Sequence, residues 1–266
     1  MHSLHKVGAK FAILFLAASL AQAAEPERMT WDVAGTKREA LVYPPTSSPT
    51  SPKAPLVFIF HGHGGTPRNI ARSMHVQEIW PEAIVVYPAG IPTITKIDPK
   101  GEKPGWQRAP GDNDNRDLKF FDAMLASLQK KFSVDDQRIY AAGFSNGSLF
   151  TFLLMSQRPK EIAAFAACAG PPSGGATLST PKPIFIIAGE KDPIVPIAAQ
   201  HASIDLVRRL NGAGEAAKGG VDGLTVYKTS DHGAPVQTLI HPGGHQIPAE
   251  APKLIVKFFR ENALSK

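Results

Sequence analysis

A chain of 266 residues with a single cysteine suits one α/β domain with a sizeable core and excludes an intrachain disulfide. Its formal charge of +6 falls to +4 if Lys6 and Lys10 leave with an acid-free N-terminal leader. The remaining lysines and arginines are scattered apart from pairs such as Lys130-Lys131 and Arg208-Arg209, with no aromatic-interleaved stripe, so nucleic acid is not an implied partner, whereas weak attraction to acidic cell-wall material is compatible with the charge.

Residues 1–23 read as a secretory signal peptide. His2, Lys6 and Lys10 precede the apolar run FAILFLAASLA, and Ala21-Gln22-Ala23 supplies a small-x-small cleavage pattern. The run is too short to cross about 30 Å of hydrocarbon as a helix, so no stable membrane insertion is expected. Residues 24–266 are then one domain, secreted or periplasmic. Next, RMTWDV and REALVYPP flank Ala34-Gly35-Thr36 and predict an antiparallel hairpin at a sheet edge. TSSPTSPKAP, 46–55, is a Pro/Ser-rich surface connection.

From PLVFIFHG onward, apolar runs alternate with helical stretches. AIVVYPAG, RIYAAGF, IAAFAACAG and PIFIIAGE each look buried on both faces, as strands of a mostly parallel sheet covered by helices do. NRDLKFFDAMLASLQKKF, 115–132, carries Leu118, Phe121, Met124, Leu125, Leu128 and Phe132 at helical spacing, with lysines at its end. SLFTFLLMSQ, 148–157, reads as an apolar helix and KLIVKFFREN, 253–262, as a closing one. Residues 90–114 follow neither period and are rich in Gly and Pro, which predicts a long loop of the kind that is more often functional than idle. No internal repeat is visible.

The chemistry centres on AAGFSNGSLF, 141–150, where Gly143 and Gly147 flank Ser145. Gly-x-Ser-x-Gly arises by chance in on the order of one chain in ten of this length, so its setting decides. Here an apolar strand precedes it and an apolar helix follows. That turn is too sharp for bulky neighbours and pushes the serine hydroxyl out of the sheet edge. A serine attacks only if a base takes its proton, and that base needs a carboxylate to hold it in one tautomer. Asp192 follows the PIFIIAGE strand, with Glu190 as a rival acid, and His245 stands in HPGGHQIP, with His241 as a rival base. The order Ser145, Asp192, His245 is the one this architecture uses. A zinc reading of His241 and His245 fails because Pro242-Gly243-Gly244 prevents the helix that would face both one way.

HGHGG, 61–65, follows the PLVFIF strand and offers backbone amides to a developing oxyanion, the amide of His63 foremost, together with that of Asn146. Metal binding by His61 and His63 is the rival, without a supporting Cys/His/Glu cluster. Asp112, Asp114 and Asp117 fit helix N-capping better than a calcium loop, since Arg116 stands where a ligand oxygen should and the following glycine is missing. Cys168 fits a small core residue. Trp106 is a candidate for stacking on an aromatic or sugar substrate, with packing as its alternative. No metal or organic cofactor is needed for this chemistry.

Laid end to end, HGHGG, GFSNG, GEKDPIVP and GGHQIP give a sequence that resembles the α/β-hydrolase esterases of the polyhydroxybutyrate depolymerase and feruloyl esterase group, from about Pro55 to Pro248. Asp117-Leu-Lys-Phe120 is similar to that group's helix entry. Ile247 stands where the group has tryptophan, beside the expected pocket, and the disulfide-forming cysteines of some members are absent. The resemblance implies an α/β-hydrolase with a mostly parallel central sheet, an antiparallel N-terminal edge hairpin and helices on both faces. It also implies an acyl-enzyme esterase acting on hydroxycinnamoyl or acetyl esters of plant polysaccharide. Hydroxyalkanoate oligomers, as for a polyhydroxybutyrate depolymerase, come next. A catalytically silent carbohydrate-binding protein is the alternative of another class, and a peptidase or acyltransferase with the same three residues is a third.

Overall fold

The computed structural model describes residues 25–47, 52–173, 175–230 and 233–264. The expected leader, 1–23, and part of the expected 46–55 connection lie outside them. Strands β1 (Glu27–Val33) and β2 (Thr36–Tyr43) pair antiparallel from Glu27↔Val42 to Val33↔Thr36. Ala34 at φ 50° and Gly35 at φ 77° form the two-residue turn, and positive φ at both positions matches the twist of the flanking strands.

Beyond it come β3 (Ala54–Phe60), α1 (Pro67–Met74), α2 (Val76–Ile79), β4 (Ile84–Pro88), and the short strands β5 (Ile91–Pro92) and β6 (Pro104–Gly105). A 3-10 turn over Asp112–Asn115 leads into α3 (Arg116–Lys131), β7 (Val134–Phe144), α4 (Asn146–Gln157), β8 (Ala164–Cys168) and β9 (Ile184–Gly189). The chain continues through α5 (Ile197–Leu210), β10 (Ala213–Lys218), β11 (Leu224–Thr229), β12 (Val236–His241) and α6 (Ala251–Arg260). One sheet runs β1-β2-β4-β3-β7-β8-β9-β12-β11-β10. Its centre, β4 to β12, is parallel, and both margins are antiparallel.

The apolar runs are continuous because both faces of the central strands are covered. On β3, Leu56, Phe58 and Phe60 pack toward residues of α3, α4 and α5, while Val57 and Ile59 pack toward α1, α2 and α6. Phe259 of α6 stacks on Tyr140 of β7, with ring centroids 4.7 Å apart. The parallel strands all end at one rim, which therefore collects the loops after β3, β7, β9 and β12.

Two expectations need correction, and one margin adds to the expected fold. That second antiparallel margin joins β11, whose LTVYKT alternates and is rich in β-branched and aromatic residues, to β10, whose AGEAAK is mostly exposed and poor in them. Residues 90–114 are not a featureless loop: Ile91↔Gly105 and Pro92↔Pro104 pair, and Thr95 bridges Asp98. Two-residue strands containing proline are too short to leave a period. Lastly, the acids at 112–117 do not cap α3. Its cap residue is Asn115, without a side-chain cap bond, and Asp112 accepts the amides of Arg108 and Ala109. Asp117 is buried in an ion pair with Arg38 of β2, Nη2 to Oδ1 2.8 Å, and this distant partner outcompetes any local role.

Candidate active site

Ser145 sits between the end of β7 and the first residue of α4, at φ 55° and ψ −118°. Such a backbone costs on the order of 1–3 kcal/mol and needs its surroundings to hold it. The Ser145 amide donates to Cys168 O at 2.8 Å, and its carbonyl accepts from Ser148 N at 2.9 Å. Close approach explains both flanking glycines. A Cβ on Gly143 would lie 2.1 Å from Gly147 O, and one on Gly147 would lie 2.2 Å from Phe60 O.

The loops after β9 and β12 meet at the same rim. Glu190 N donates to His241 O at 2.9 Å and Lys191 N to Gly243 O at 3.0 Å. This lacing turns Asp192 inward and leaves Glu190 exposed. Asp192 Oδ1 accepts the amides of Ile194 and Val195, each at 2.8 Å, and Oδ2 lies 2.8 Å from His245 Nδ1. His245 Nε2 lies 2.8 Å from Ser145 Oγ. Burial works to raise the Asp192 carboxyl, but the two amides and the imidazole outweigh it and hold the group below the usual carboxylate range. A carboxylate only accepts, so Nδ1 carries the hydrogen and the Nε2 lone pair faces the serine hydroxyl. His241 stays at the end of β12, buried, with Nδ1 accepting from Gly243 N at 3.2 Å.

The loop after β3 lies against the serine. A Cβ on Gly62 would be 3.3 Å from Ser145 Cβ. His61 fixes this loop from within: Nδ1 donates to Gly62 O at 2.7 Å, and Nε2 accepts from Gly90 N at 2.9 Å. Burial pushes its imidazole below the ordinary value, against the bond to Gly62, which favours the charged form. Both ring nitrogens are thus used, which leaves the metal reading of His61 without a ligand atom. Gly64 N donates to Pro104 O and Gly65 N to Gly62 O. His63 Nε2 lies 3.0 Å from Asp98 Oδ2. The Asn146 amide is the first of α4, one of the N–H groups that an α-helix leaves without an acceptor.

Trp106 does not present its ring to a substrate. It is wholly buried among Phe60, His61 and Phe150, and its indole N–H donates to His61 O at 2.9 Å. Of the two roles open to it, stacking on a substrate is excluded and packing holds; its partners lie too far along the chain for a local pattern to decide between them. Ile247 lines a cavity of about 470 Å³ with Ile70, Phe144 and His245. The bonds that brace these loops, Arg38 to Asp117, Asp98 to His63 and Gln107 to Asp117, span 10 to 79 positions and so leave no local signal.

Residues 42–224 match the family model described as phospholipase/carboxylesterase. The chain belongs to the phospholipase/carboxylesterase family. Within this family's α/β-hydrolase fold the serine turn and the loops after β9 and β12 converge as just described. Among similar proteins, the bifunctional acetylxylan esterase/xylanase of Neocallimastix patriciarum is 30% identical over 164 residues, 60% of this chain. That alignment spans only 22% of the relative's length. Feruloyl esterase D of Neurospora crassa is 24% identical over 82% of this chain and 77% of its own. In three dimensions the chain is similar to an acetyl xylan esterase from Aspergillus awamori, with TM-score 0.67, 14% identity, and coverage of 88% of this chain and 99% of that one. At that identity the likeness is one of fold.

Proposed function

We propose that the protein is an exported serine esterase that cleaves carboxylic esters through an acyl-enzyme. One observation carries this reading: Ser145, His245 and Asp192 form a hydrogen-bonded line with two 2.8 Å links. Ser145 Oγ attacks the ester carbonyl as His245 Nε2 takes its proton, and Asp192 stabilises the resulting imidazolium. The amides of Asn146 and His63 receive the negative charge that develops on the carbonyl oxygen. Collapse of the tetrahedral species breaks the C–O bond to the alcohol, which leaves with the proton from His245. Water then repeats the sequence on the acyl-enzyme, returning free serine and the acid. No metal or organic cofactor enters any step.

Acyl groups of the feruloyl or acetyl type on plant polysaccharide fit best, supported by the names of the relatives and by the cavity beside His245. Its volume of about 470 Å³ and its apolar wall of Ile70, Phe144 and Ile247 suit an aromatic acid, with Asn69, Ser73 and Gln246 offering polar contacts. Export rests on residues 1–23 alone. Rates on methyl ferulate, acetylated xylan and a hydroxybutyrate oligomer test the reading. Turnover of either of the first two above the oligomer supports it, and turnover of the oligomer alone overturns the substrate assignment.

A further inference from the structure

The two oxyanion donors come from elements far apart in the chain, the loop after β3 and the start of α4, yet their separation must suit one oxygen atom. Residues 104–107 bind both. Trp106 N donates to Asn146 Oδ1 at 2.7 Å, and Asn146 Nδ2 donates back to Trp106 O at 3.2 Å. From the same residue, the indole N–H reaches His61 O at 2.9 Å. The ring stands 5.2 Å from that of Phe60, which leads into the His-Gly loop, and 5.5 Å from that of Phe150 on α4. Gly105 passes between the two sides, where an added Cβ would lie 2.7 Å from His63 Nδ1 and 2.9 Å from Asn146 Oδ1. Gln107 anchors the segment from behind: its amide donates to Asp117 Oδ2 at 2.7 Å, and its side-chain oxygen accepts the amides of Asp117 and Leu118.

We propose that Trp106 and the side chain of Asn146 are positioning residues, a strap that sets the distance between the two oxyanion donors. Neither side chain touches the substrate. Oxyanion stabilisation depends on donors held in place before charge develops, so slack in the strap weakens the transition state and leaves ground-state binding intact. The inference rests on the serine-esterase reading above.

Trp106→Phe keeps an aromatic ring and removes the indole donor; Asn146→Ala removes the carboxamide and keeps the backbone amide. Each is measured with the wild type for kcat and KM on a soluble ester, for affinity toward a boronic acid that mimics the tetrahedral species, and for melting temperature. The strap predicts a kcat loss of roughly 10- to 100-fold, as for a small misplacement of catalytic groups. KM should stay within about twofold, and boronate affinity should fall by the same factor as kcat. Because both changes cut one strap, the double variant should be little worse than the more damaging single one. Asn146→Ser, which stays polar and uncharged but is too short to make the paired bonds to Trp106, is the second variant should either of the others fail to fold; it predicts the same pattern.

Folded variants with kcat within about twofold of wild type overturn the proposal, as does a raised KM with unchanged kcat. Additive losses in the double variant also contradict it. A wild type that neither turns over esters nor binds the boronate overturns the esterase reading and the strap with it, whereas an active wild type matched by its variants overturns the strap alone.

Discussion

His245 Nε2 and Ser145 Oγ lie 2.8 Å apart although 100 positions separate them in the chain. The parallel sheet makes this possible, because β7 and β12 end at the same rim and the lacing between Glu190, Lys191 and the 241–243 segment brings the acid loop along. Each partner can therefore be tested separately.

Asp192→Asn keeps the oxygen that accepts from Ile194 and Val195 but turns an N–H toward His245, which favours the wrong tautomer. The fold should survive while kcat drops roughly ten-thousand-fold, by analogy with the same change in a serine protease. Steady-state kinetics with a thermal melt checks this, and a loss under tenfold would move the acid elsewhere, with Glu190 next in line.

His241 and His245 separate cleanly. His245→Ala should approach the loss seen on removing the serine, whereas His241→Ala should keep kcat within about tenfold, since its ring accepts from Gly243 N rather than facing Ser145. The reverse pattern would reassign the base.

Acid should weaken the fold in two steps. Burial holds His61 below its ordinary value of about 6.5, so below that pH the unfolded chain binds more protons than the folded one. Its contribution is complete above about pH 6.5 and is lost as pH falls toward the folded value. Asp192, also held low, adds a loss that begins only below about pH 4. Melting temperatures from pH 8 to 5 should fall on the acid side, and His61→Gln should flatten that limb even if it is less stable throughout. An equally steep limb in the variant would remove His61 from the account.

Asp117→Ala would leave the Arg38 guanidinium buried without its carboxylate, both side chains being at most 1% exposed. Breaking such a pair costs about 3–5 kcal/mol. Urea unfolding gives the figure, and a loss below about 1 kcal/mol would show that the pair is incidental to stability.

The central strands and the serine turn were legible because their signals are local. A buried parallel strand needs an unbroken apolar run such as PLVFIF, and a turn with backbone atoms packed this closely admits only glycine at 143 and 147. Asp192 and His245 were legible through the loops that follow their strands. The roles of Trp106 and Asp117 were harder to read for one shared reason: each is defined by a partner that no local pattern reveals. A tryptophan in a Gly/Pro-rich stretch leaves stacking and packing both open until His61 O and the Asn146 side chain are found beside it. An acid at a helix start suggests capping until Arg38 arrives from β2. Strand β10 leaves no signal in the sequence because it is held by pairing with β11 rather than by its own composition.

Reaction with a fluorophosphonate, followed by intact mass and peptide mapping, tests the nucleophile most directly. The account predicts one adduct on Ser145 of the wild type and none in Ser145→Ala, whose kcat should be lower by roughly a million-fold. An unlabelled wild type, an adduct that persists in Ser145→Ala, or a variant within about tenfold of wild-type activity would contradict it.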